Sequence, residues 1–387
     1  MKRRAVFLLV ILWTASLLTG CWNRREIETL GFVLAFGVDQ REDGRVEVTA
    51  ELAKPGAMAR REGGGGGKEK PYKTYSASGK TLFDAIRNVT RESPRKLWFG
   101  HNQLVVIGEE MARRGVLPVL ELMERDHELR REMWVLVARG KAKDVIEAEI
   151  DLEKTPAKGL MRLIKVRGAT STAQAVRANE FLKVLSAKHT SPTTSVITLV
   201  KKEGKPAPEF HLEGSAVFKD GKLIGFLDAT ETRGMLWATG KVKSGVITVP
   251  CPGDEKEKVA LEIIRARGEI EPRVEDGKIS FVIKIKEQGN LGEQTGPVDL
   301  TSPARMGELE RRKAAAIEGE IGAALRRARE LKADIFGFGE ALHREYPAVW
   351  RGLKEKWESE EFPGIPVAFD IEARIRRTGK VGRPTQP

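Results

Sequence analysis

The 387-residue sequence predicts an α+β protein with mixed sheets and flanking helices, divided into more than one domain. At three points alternating apolar runs flank an Asp-Gly pair, which is the strongest short-range signal for a β-hairpin. Runs with helical periodicity lie between the predicted strands, but without the regular strand–helix alternation of a parallel α/β fold. A length of 387 residues allows two to three domains at about 100–200 residues per domain.

The predicted secondary structure follows these signals along the chain. The hairpins pair residues 31–39 with 45–52, 215–219 with 222–227, and 270–275 with 278–286. Further strands are predicted at 103–108, 133–138, 194–200 and 367–374. Helices are predicted at 81–91, 110–124, 142–149, 304–332, 338–345 and 348–358. The helix at 304–332 has the clearest signal, since Ser302 can cap it and Pro303 suits its first turn.

The composition is that of an ordinary water-soluble protein, with 41% hydrophobic and 32% charged residues. It excludes a polytopic membrane protein, a collagen-like fibre and a disordered tail protein, and two cysteines are too few for a disulfide scaffold. The formal charge is +12, but acidic residues intersperse the basic ones nearly everywhere. We therefore expect a solvated surface that is attracted to anionic lipid, and no nucleic-acid partner.

The first 21 residues have the pattern of a lipoprotein signal. A charged start, Lys2-Arg3-Arg4, precedes an apolar run of 14 residues that is too short to span a bilayer comfortably. The run ends in Leu18-Thr19-Gly20-Cys21, which has the pattern of a bacterial lipobox. We expect residues 1–20 to be a signal peptide, cut between Gly20 and Cys21, and an acylated Cys21 to anchor the chain on the membrane outside the cytoplasm. The alternative is an uncleaved anchor helix with an incidental cysteine.

A change in composition between about 190 and 210 predicts a domain boundary. We expect an N-terminal domain at 21–195 and a C-terminal domain at 196–379. The second would comprise a small middle subdomain at about 205–255 and an α/β subdomain at about 256–379. Composition predicts a flexible charged loop with five consecutive glycines at 60–70, within the N-terminal domain, and a disordered polar tail at 380–387, after the C-terminal domain.

The residues that usually carry catalysis or ligand binding are not arranged for either. The five histidines are not paired with one another at i, i+3 or i, i+4. No serine lies in a Gly-x-Ser-x-Gly pattern, and the glycine run lacks the Ser/Thr of a phosphate-binding loop. With Cys21 acylated, Cys251 has no cysteine left to form a disulfide. We therefore predict no catalytic, cofactor-binding or metal site, and no enzyme.

Several short motifs follow one another along the mature chain in an order that resembles a known family. The first is Cys-Trp-Asn-Arg-Arg-Glu-Ile-Glu at 21–28. The others are Gly37-Val38-Asp39, Ser93-Pro94-Arg95, His101-Asn102, Arg125-Asp126 with Arg130, 218–225, 231–237, 333–339, Tyr346-Pro347, Trp350, Trp357, Phe362-Pro363 and 377–379. Together they resemble the Ger(x)C family of spore germination lipoproteins, which more often has Asp where this chain has Asn23.

The resemblance implies a non-enzymatic C subunit of a nutrient germinant receptor, on the outer face of the spore inner membrane. Such a subunit works beside two multi-span membrane partners, the A and B subunits. The B type resembles an amino-acid transporter and is the candidate nutrient-binding subunit. The resemblance also implies a fold of three small mixed α/β domains in a curved arrangement. The resemblance implies no cofactor.

Nine motif residues are interpreted as structural, with subunit contact as the alternative: His101, Arg125, Asp126, Arg130, Arg233, Trp237, Asp334, Trp350 and Trp357. The tryptophans are expected to fill core or interface. Asp126 is expected to form ion pairs with Arg125 and Arg130 at a helix end, and His101 to be a polar anchor at the start of a strand.

Two other functions stay open beside the receptor subunit. One is an extracytoplasmic solute-binding lipoprotein that captures a small nutrient itself. The other is a cell-wall hydrolase, which the missing catalytic arrangements disfavour. No motif specifies which nutrient the protein serves, which surface contacts each partner or the stoichiometry of the complex. No motif specifies a role for the five-glycine loop either.

Overall fold

The computed structural model describes residues 3–7, 13, 26–59, 70–150, 152–204 and 208–377, and these form two mixed sheets with flanking helices. This arrangement confirms the predicted α+β class. Gly20 and Cys21, residues 60–69 of the predicted loop and the tail at 380–387 lie outside the described residues. Within the part of the chain that is described, no helix is both long enough and apolar enough to cross a bilayer.

The first sheet has ten strands, with a parallel centre and antiparallel flanks. Its strands are β1 (Leu30–Gln40), β2 (Val46–Ala53), β3 (Tyr72–Gly79), β4 (Lys96–Trp98), β5 (Leu104–Gly108), β6 (Trp134–Ala138), β7 (Val176–Arg177), β8 (Thr193–Val200), β9 (Glu209–Lys219) and β10 (Lys222–Leu227). The spatial order is β10-β9-β8-β6-β5-β1-β2-β3, with β4 beside β1 and β7 beside β6. Strands β1, β5, β6 and β8 run parallel to one another. Their near-continuous apolar sequences suit burial on both faces.

Helices cover both faces of the first sheet. They are α1 (Pro55–Ala59), α2 (Leu82–Val89), α3 (Glu109–Arg114), α4 (Leu117–Arg125), α5 (Ala142–Glu147), α6 (Pro156–Val166) and α7 (Ala178–Ala187). One core cluster joins the sheet to α2, α3, α4 and α7, and a second joins its other face to α5 and α6. The result is a three-layer unit, which we call the first unit.

The second unit is built on a four-stranded sheet in the order β11-β12-β13-β14. Its strands are β11 (Gly245–Cys251), β12 (Asp254–Glu275), β13 (Lys278–Gln294) and β14 (Val367–Arg377), and its helices are α8 (Ala229–Ala238), α9 (Pro303–Leu331), α10 (Phe338–Glu345) and α11 (Pro347–Leu353). The third core cluster combines this sheet with α8, α9, α10 and α11. A π-helical turn at Trp357–Glu361 and a 3₁₀ turn at Phe362–Gly364 lead from α11 into β14.

Most of the predicted elements are confirmed. The three Asp-Gly hairpins form, and at Asp276 and Gly277 both φ angles are positive, as a tight hairpin turn requires. The 304–332 helix forms as α9 behind its Ser302 cap. The strands β12 and β13 meet the predicted turn but extend much further from it than predicted, to Asp254 and Gln294, where charged residues interrupt the apolar pattern.

Some helix predictions were wrong. The single helix at 110–124 is two, α3 and α4, because Gly115 takes a φ of +137° between them. The helix at 348–358 ends at Leu353 and is followed by the π-helical turn. Helices α1, α6, α7 and α8 were not predicted.

The first sheet continues past the expected division at residue 195. That position lies within β8, and the hairpin of β9 and β10 pairs with β8 in the same sheet. Residues 209–227, expected in a middle subdomain, therefore belong to the first sheet. The division into domains at 195/196 stays a prediction.

Two buried carboxylates on neighbouring strands fix helices on the sheet. Asp39 of β1 accepts from the backbone N–H groups of Ala142 and Lys143 at the start of α5, each at 2.8 Å. Glu51 of β2 accepts from the N–H of Ala157 at the start of α6, at 2.8 Å. N–H groups at a helix start lack partners within the helix, and these carboxylates supply them. Asp39 of the motif Gly-Val-Asp at 37–39 thus has a structural role, which is to hold the start of α5 on the sheet.

We expect Glu51 to make the free energy of unfolding fall as the pH rises from 5 to 8. Burial raises the pKa of Glu51 from 4.5 to about 7, so the folded state holds a proton that the unfolded state releases. Between those pKa values the unfolded chain binds fewer protons, which lowers stability by about 2 kcal/mol. Glu51→Gln should flatten this part of the profile, measured by urea unfolding at both pH values. Parallel profiles for the two proteins would contradict the assignment.

A buried ion pair holds α9 against the second sheet. The Nζ of Lys313 on α9 lies 2.7 Å from Oε1 of Glu287 on β13, and neither side chain has solvent exposure. Burial raises the pKa of Glu287 and lowers that of Lys313, so each charged form depends on its partner.

Lys313→Met is therefore expected to lower the free energy of unfolding by about 3–5 kcal/mol, since it leaves Glu287 buried without a counter-ion. The double variant Lys313→Met/Glu287→Leu should be more stable than Lys313→Met alone, because it buries no charge. Denaturant unfolding of the three proteins tests this. A double variant as unstable as the single one would show that packing, not charge, dominates here.

Candidate functional site at the junction of the two sheets

The two units meet where residues 188–193, which lead into β8, lie against residues 332–340, which run from the end of α9 into the first turn of α10. We call these two segments the junction. At its centre the backbone N–H of Ser191 donates to the carbonyl of Asp334 at 2.8 Å. Most of the motif residues of the second unit lie at or next to this contact.

Asp334 organises the second-unit side of the junction. Its side chain is fully buried, and its oxygens accept from four consecutive backbone N–H groups at 2.7–3.2 Å, those of Phe336, Gly337, Phe338 and Gly339. A fifth donor is the indole Nε1 of Trp357, at 3.0 Å. Burial raises the pKa of Asp334 from 3.8 to about 6, against the opposing effect of these hydrogen bonds. The carboxylate therefore caps the start of α10 and ties Trp357 to it.

Glu358 carries the contact across to the first unit. Its carboxylate accepts from the Oγ of Ser191 and from the N–H of Asp334, the latter at 3.1 Å. Its other oxygen lies 3.3 Å from the Nζ of Lys219 at the end of β9. Lys219 in turn donates to the carbonyl of Lys332 at 2.9 Å. These contacts join both units through one small polar network.

Aromatic side chains pack around this network. Trp350 and Trp357 are both buried and meet edge to face, with ring centroids 5.4 Å apart. The ring of His189 lies 5.3 Å from Trp350 and 4.3 Å from His343 on α10. A Cβ at Gly339 would lie 2.5 Å from the His189 carbonyl and 2.8 Å from Trp350, so only glycine allows this approach.

A second network joins α8 to α9. The guanidinium of Arg233 forms a bidentate pair with Glu320, and the indole Nε1 of Trp237 donates to the same carboxylate at 2.9 Å. A Cβ at Gly234 would lie 2.1 Å from the Glu320 carbonyl oxygen, so the two helices touch through their backbones. The motif at 231–237 thus builds a helix pair, and Trp237 is buried beneath it.

A cleft of about 900 Å³ opens between the two units beside the junction. Its walls come from the end of α6, from α7, from the segment after α8 and from α10. Five basic and three acidic side chains line it, which makes its charge positive: Lys165, Arg167, Lys241, Lys243 and Arg344, against Glu180, Glu269 and Glu340. The geometry suits binding of a polar or anionic group more than an apolar one.

His101, Arg125, Asp126 and Arg130 of the first unit lie apart from this junction in the chain and form local contacts. His101 is exposed, and its ring lies 5.1 Å from Trp98 and 5.6 Å from Phe32. Arg125 and Arg130 are exposed as well.

The ion pairs expected for Asp126 with Arg125 and Arg130 do not form. The guanidinium of Arg125 pairs with Glu121, one turn earlier on α4, at 2.8 Å. Asp126 instead accepts from the backbone N–H of Glu128 at 2.8 Å, as an Asp in a turn does. The hydrogen bond of Asp126 to the backbone in this turn therefore forms in place of the ion pairs that the charge pattern predicted.

Sequence reasoning missed His189 and Ser191 at the junction and Glu320 and Glu358 in the networks beside it, and it gave no partner for Lys219 of the 218–225 motif. Each is common as a surface residue, and none lies in a motif that specifies its partner. Cys251, which has no cysteine left to pair with, is buried at the end of β11, where burial raises the pKa of its thiol.

Two family models match the chain. Residues 23–199 match the model described as "Spore germination protein N-terminal domain", and residues 213–379 match "Spore germination B3/ GerAC like, C-terminal". The chain is therefore of the class of spore germination proteins built from these two parts. Within that class it belongs to the Ger(x)C family, which gives it a germination-related role.

Known proteins resemble the chain over nearly its full length. It is 27% identical to spore germination protein KC of Bacillus subtilis (strain 168), over 99% of this chain and 98% of the relative. It is 26% identical to spore germination protein B3 of the same organism, over 95% and 96%. The crystal structure of the GerBC protein matches with a TM-score of 0.58 at 22% identity, covering 90% of this chain and 99% of that one. This last likeness shows the fold.

Asp334→Asn is expected to lower the free energy of unfolding by about 2–5 kcal/mol, because its amide would face two N–H donors, those of Gly339 and Trp357. Asp370→Asn, at an exposed position on β14, is the matched control and should change stability by less than about 0.5 kcal/mol. Urea unfolding followed by tryptophan fluorescence measures both. Equal stability of the two variants would show that Asp334 does not hold the junction.

Proposed function

We propose that the protein is the lipid-anchored C subunit of a spore nutrient germinant receptor. In this proposal it is not an enzyme, and it acts with two multi-span membrane subunits, of the A and B types, to trigger germination. Its place is the extracytoplasmic face of the spore inner membrane, held there through an acylated Cys21. The observation that carries the proposal is the match of both family models over residues 23–199 and 213–379.

The junction supports a role in organising the receptor. Asp334, Trp350 and Trp357 are buried and contact one another within the second unit, and the Asp334 carbonyl accepts from the N–H of Ser191 in the first unit. The motifs that contain them therefore help to connect the two units. A subunit that passes a signal between two membrane proteins needs such a connection, because loosely joined units transmit little of a displacement. Exposed motif residues, namely His101, Arg125 and Arg130, are the candidates for direct subunit contact.

Co-purification of the two partner subunits with the protein tests this proposal. The tagged protein is pulled down in mild detergent from spore inner membranes, and co-purifying proteins are identified by mass spectrometry. We expect two multi-span proteins in the eluate. Recovery of the lipoprotein alone, under conditions that keep other membrane complexes intact, would overturn the proposal.

Cys21→Ala is expected to move the protein from the membrane fraction to the soluble fraction and to abolish nutrient germination, because two or more acyl chains are needed for stable anchoring. Cys251→Ala is the matched control and should leave the protein at the membrane, since its thiol is buried far along the chain at the end of β11. Fractionation and germination assays of spores measure both. Normal germination with a fully soluble Cys21→Ala protein would remove the anchor from the mechanism.

The cleft supports a second candidate function, capture of a small nutrient by the protein itself. It holds about 900 Å³, and the buried Nε2 of Gln174 in its wall has no hydrogen-bond partner among the described atoms. A thermal-shift screen of the purified protein with germinant-type nutrients separates the two functions. A ligand that binds only the folded state must raise the melting temperature, and no shift with any nutrient would count against this function.

A further inference from the structure

We propose that His189, Glu340 and His343 form a binding site for a divalent transition metal of the zinc class. The site lies at the junction, where His189 comes from the segment before β8 and the other two side chains come from α10. A bound ion would tie the first unit to the second beside the Asp334 network.

The donor atoms are already close together. The Nδ1 of His189 lies 2.9 Å from Oε2 of Glu340, and one donor atom from each of the three residues lies within 4.8 Å of the others. Zinc bonds of about 2.0–2.2 Å at tetrahedral angles place ligand atoms about 3.3–3.5 Å apart. The His189–Glu340 pair is now at hydrogen-bond distance, so its two atoms would separate by about half an ångström, and His343 would move inward by about an ångström or more, to reach this spacing. His343 and Glu340 are exposed, so rotation of their side chains is unhindered by core packing.

The backbone that carries these ligands is fixed without any metal. Asp334 caps α10, and residues 340 and 343 lie three positions apart on it, so they project from one face. On the other side, the ring of His189 packs edge to face against the buried Trp350. The backbone that carries the three ligands is thus ordered before an ion binds, so less conformational entropy is lost on binding.

The donor set selects the class of metal. Two imidazole nitrogens and one carboxylate oxygen suit zinc and its neighbours, whereas calcium and magnesium prefer oxygen ligands alone. Three protein ligands leave a fourth position for water. Elsewhere in the described residues, His211 lies 3.4 Å from Glu213 and His127 lies 4.0 Å from Asp126, but each is one histidine with one carboxylate. Neither reaches the three ligands that a zinc site needs.

This site could not be predicted from the sequence because His189 is distant in the chain from the other two residues. Glu340 and His343 follow one another at i, i+3, but a glutamate with one histidine is common on helix surfaces. His189 joins them only through the contact of the two units, 151 residues away from Glu340 in the chain.

The test is a calorimetric titration of ZnCl₂ into the purified full-length protein, from which any affinity tag has been removed. We expect one ion to bind per chain. His343→Ala should weaken binding by at least about tenfold, and Glu340→Gln should do the same while keeping the size of its side chain. His211→Ala is the matched control, because it removes an exposed histidine beside a carboxylate, and it should bind zinc as the unchanged protein does. Titration with CaCl₂ should give no binding.

A thermal-shift measurement gives a second readout. Zinc should raise the melting temperature of the unchanged protein and of His211→Ala, but not that of His343→Ala, since the ion binds the folded junction. Absence of saturable zinc binding would overturn the proposal, and so would equal affinity in His343→Ala, Glu340→Gln and the unchanged protein. Both measurements use the isolated protein, so a negative result leaves the proposed receptor role standing.

Discussion

A single carboxylate with no access to water fixes the connection between the two sheets. Asp334 accepts five hydrogen bonds, and an ionised group is stable at such a depth only when nearly every lone pair is used. The start of α10, the turn before it and the indole of Trp357 therefore cannot shift independently. Through the Asp334 backbone and Glu358, the same constraint reaches Ser191 and Lys219 of the first unit.

Other acidic groups and ion pairs with little or no solvent exposure also hold helices in place in the described structure. Asp39 and Glu51 position α5 and α6, the Lys313–Glu287 pair positions α9, and the Arg233–Glu320 pair positions α8 against α9. Such contacts contribute little net stability compared with apolar packing, but each allows only one arrangement of its partners. In a protein whose two sheets are mixed and whose helices, apart from α9, are short, we regard this as the reason that one arrangement is populated.

Local signals predicted most of the elements, whereas the sheet to which the β9–β10 hairpin belongs and the partners of the site residues depend on non-local contacts. Asp-Gly turns and the long apolar stripe of α9 depend on neighbours in the chain, so the sequence contains them. The membership of β9 and β10 in the first sheet depends on pairing with β8 across a loop, which no local pattern records. The same holds for the candidate site: Asp334 and Trp357 were singled out from a motif, but their partners Ser191 and Glu358 are ordinary polar residues far apart in the chain.

The continuation of the first sheet past residue 200 has a consequence for how the chain is made. Until Leu227 has emerged, β8 presents an unpaired edge that is rich in threonine, valine and isoleucine, and such edges readily pair with other chains. We expect a chain cut near residue 200 to aggregate, although one family model ends there. A chaperone that shields this edge would protect the newly made protein until the hairpin of β9 and β10 covers it.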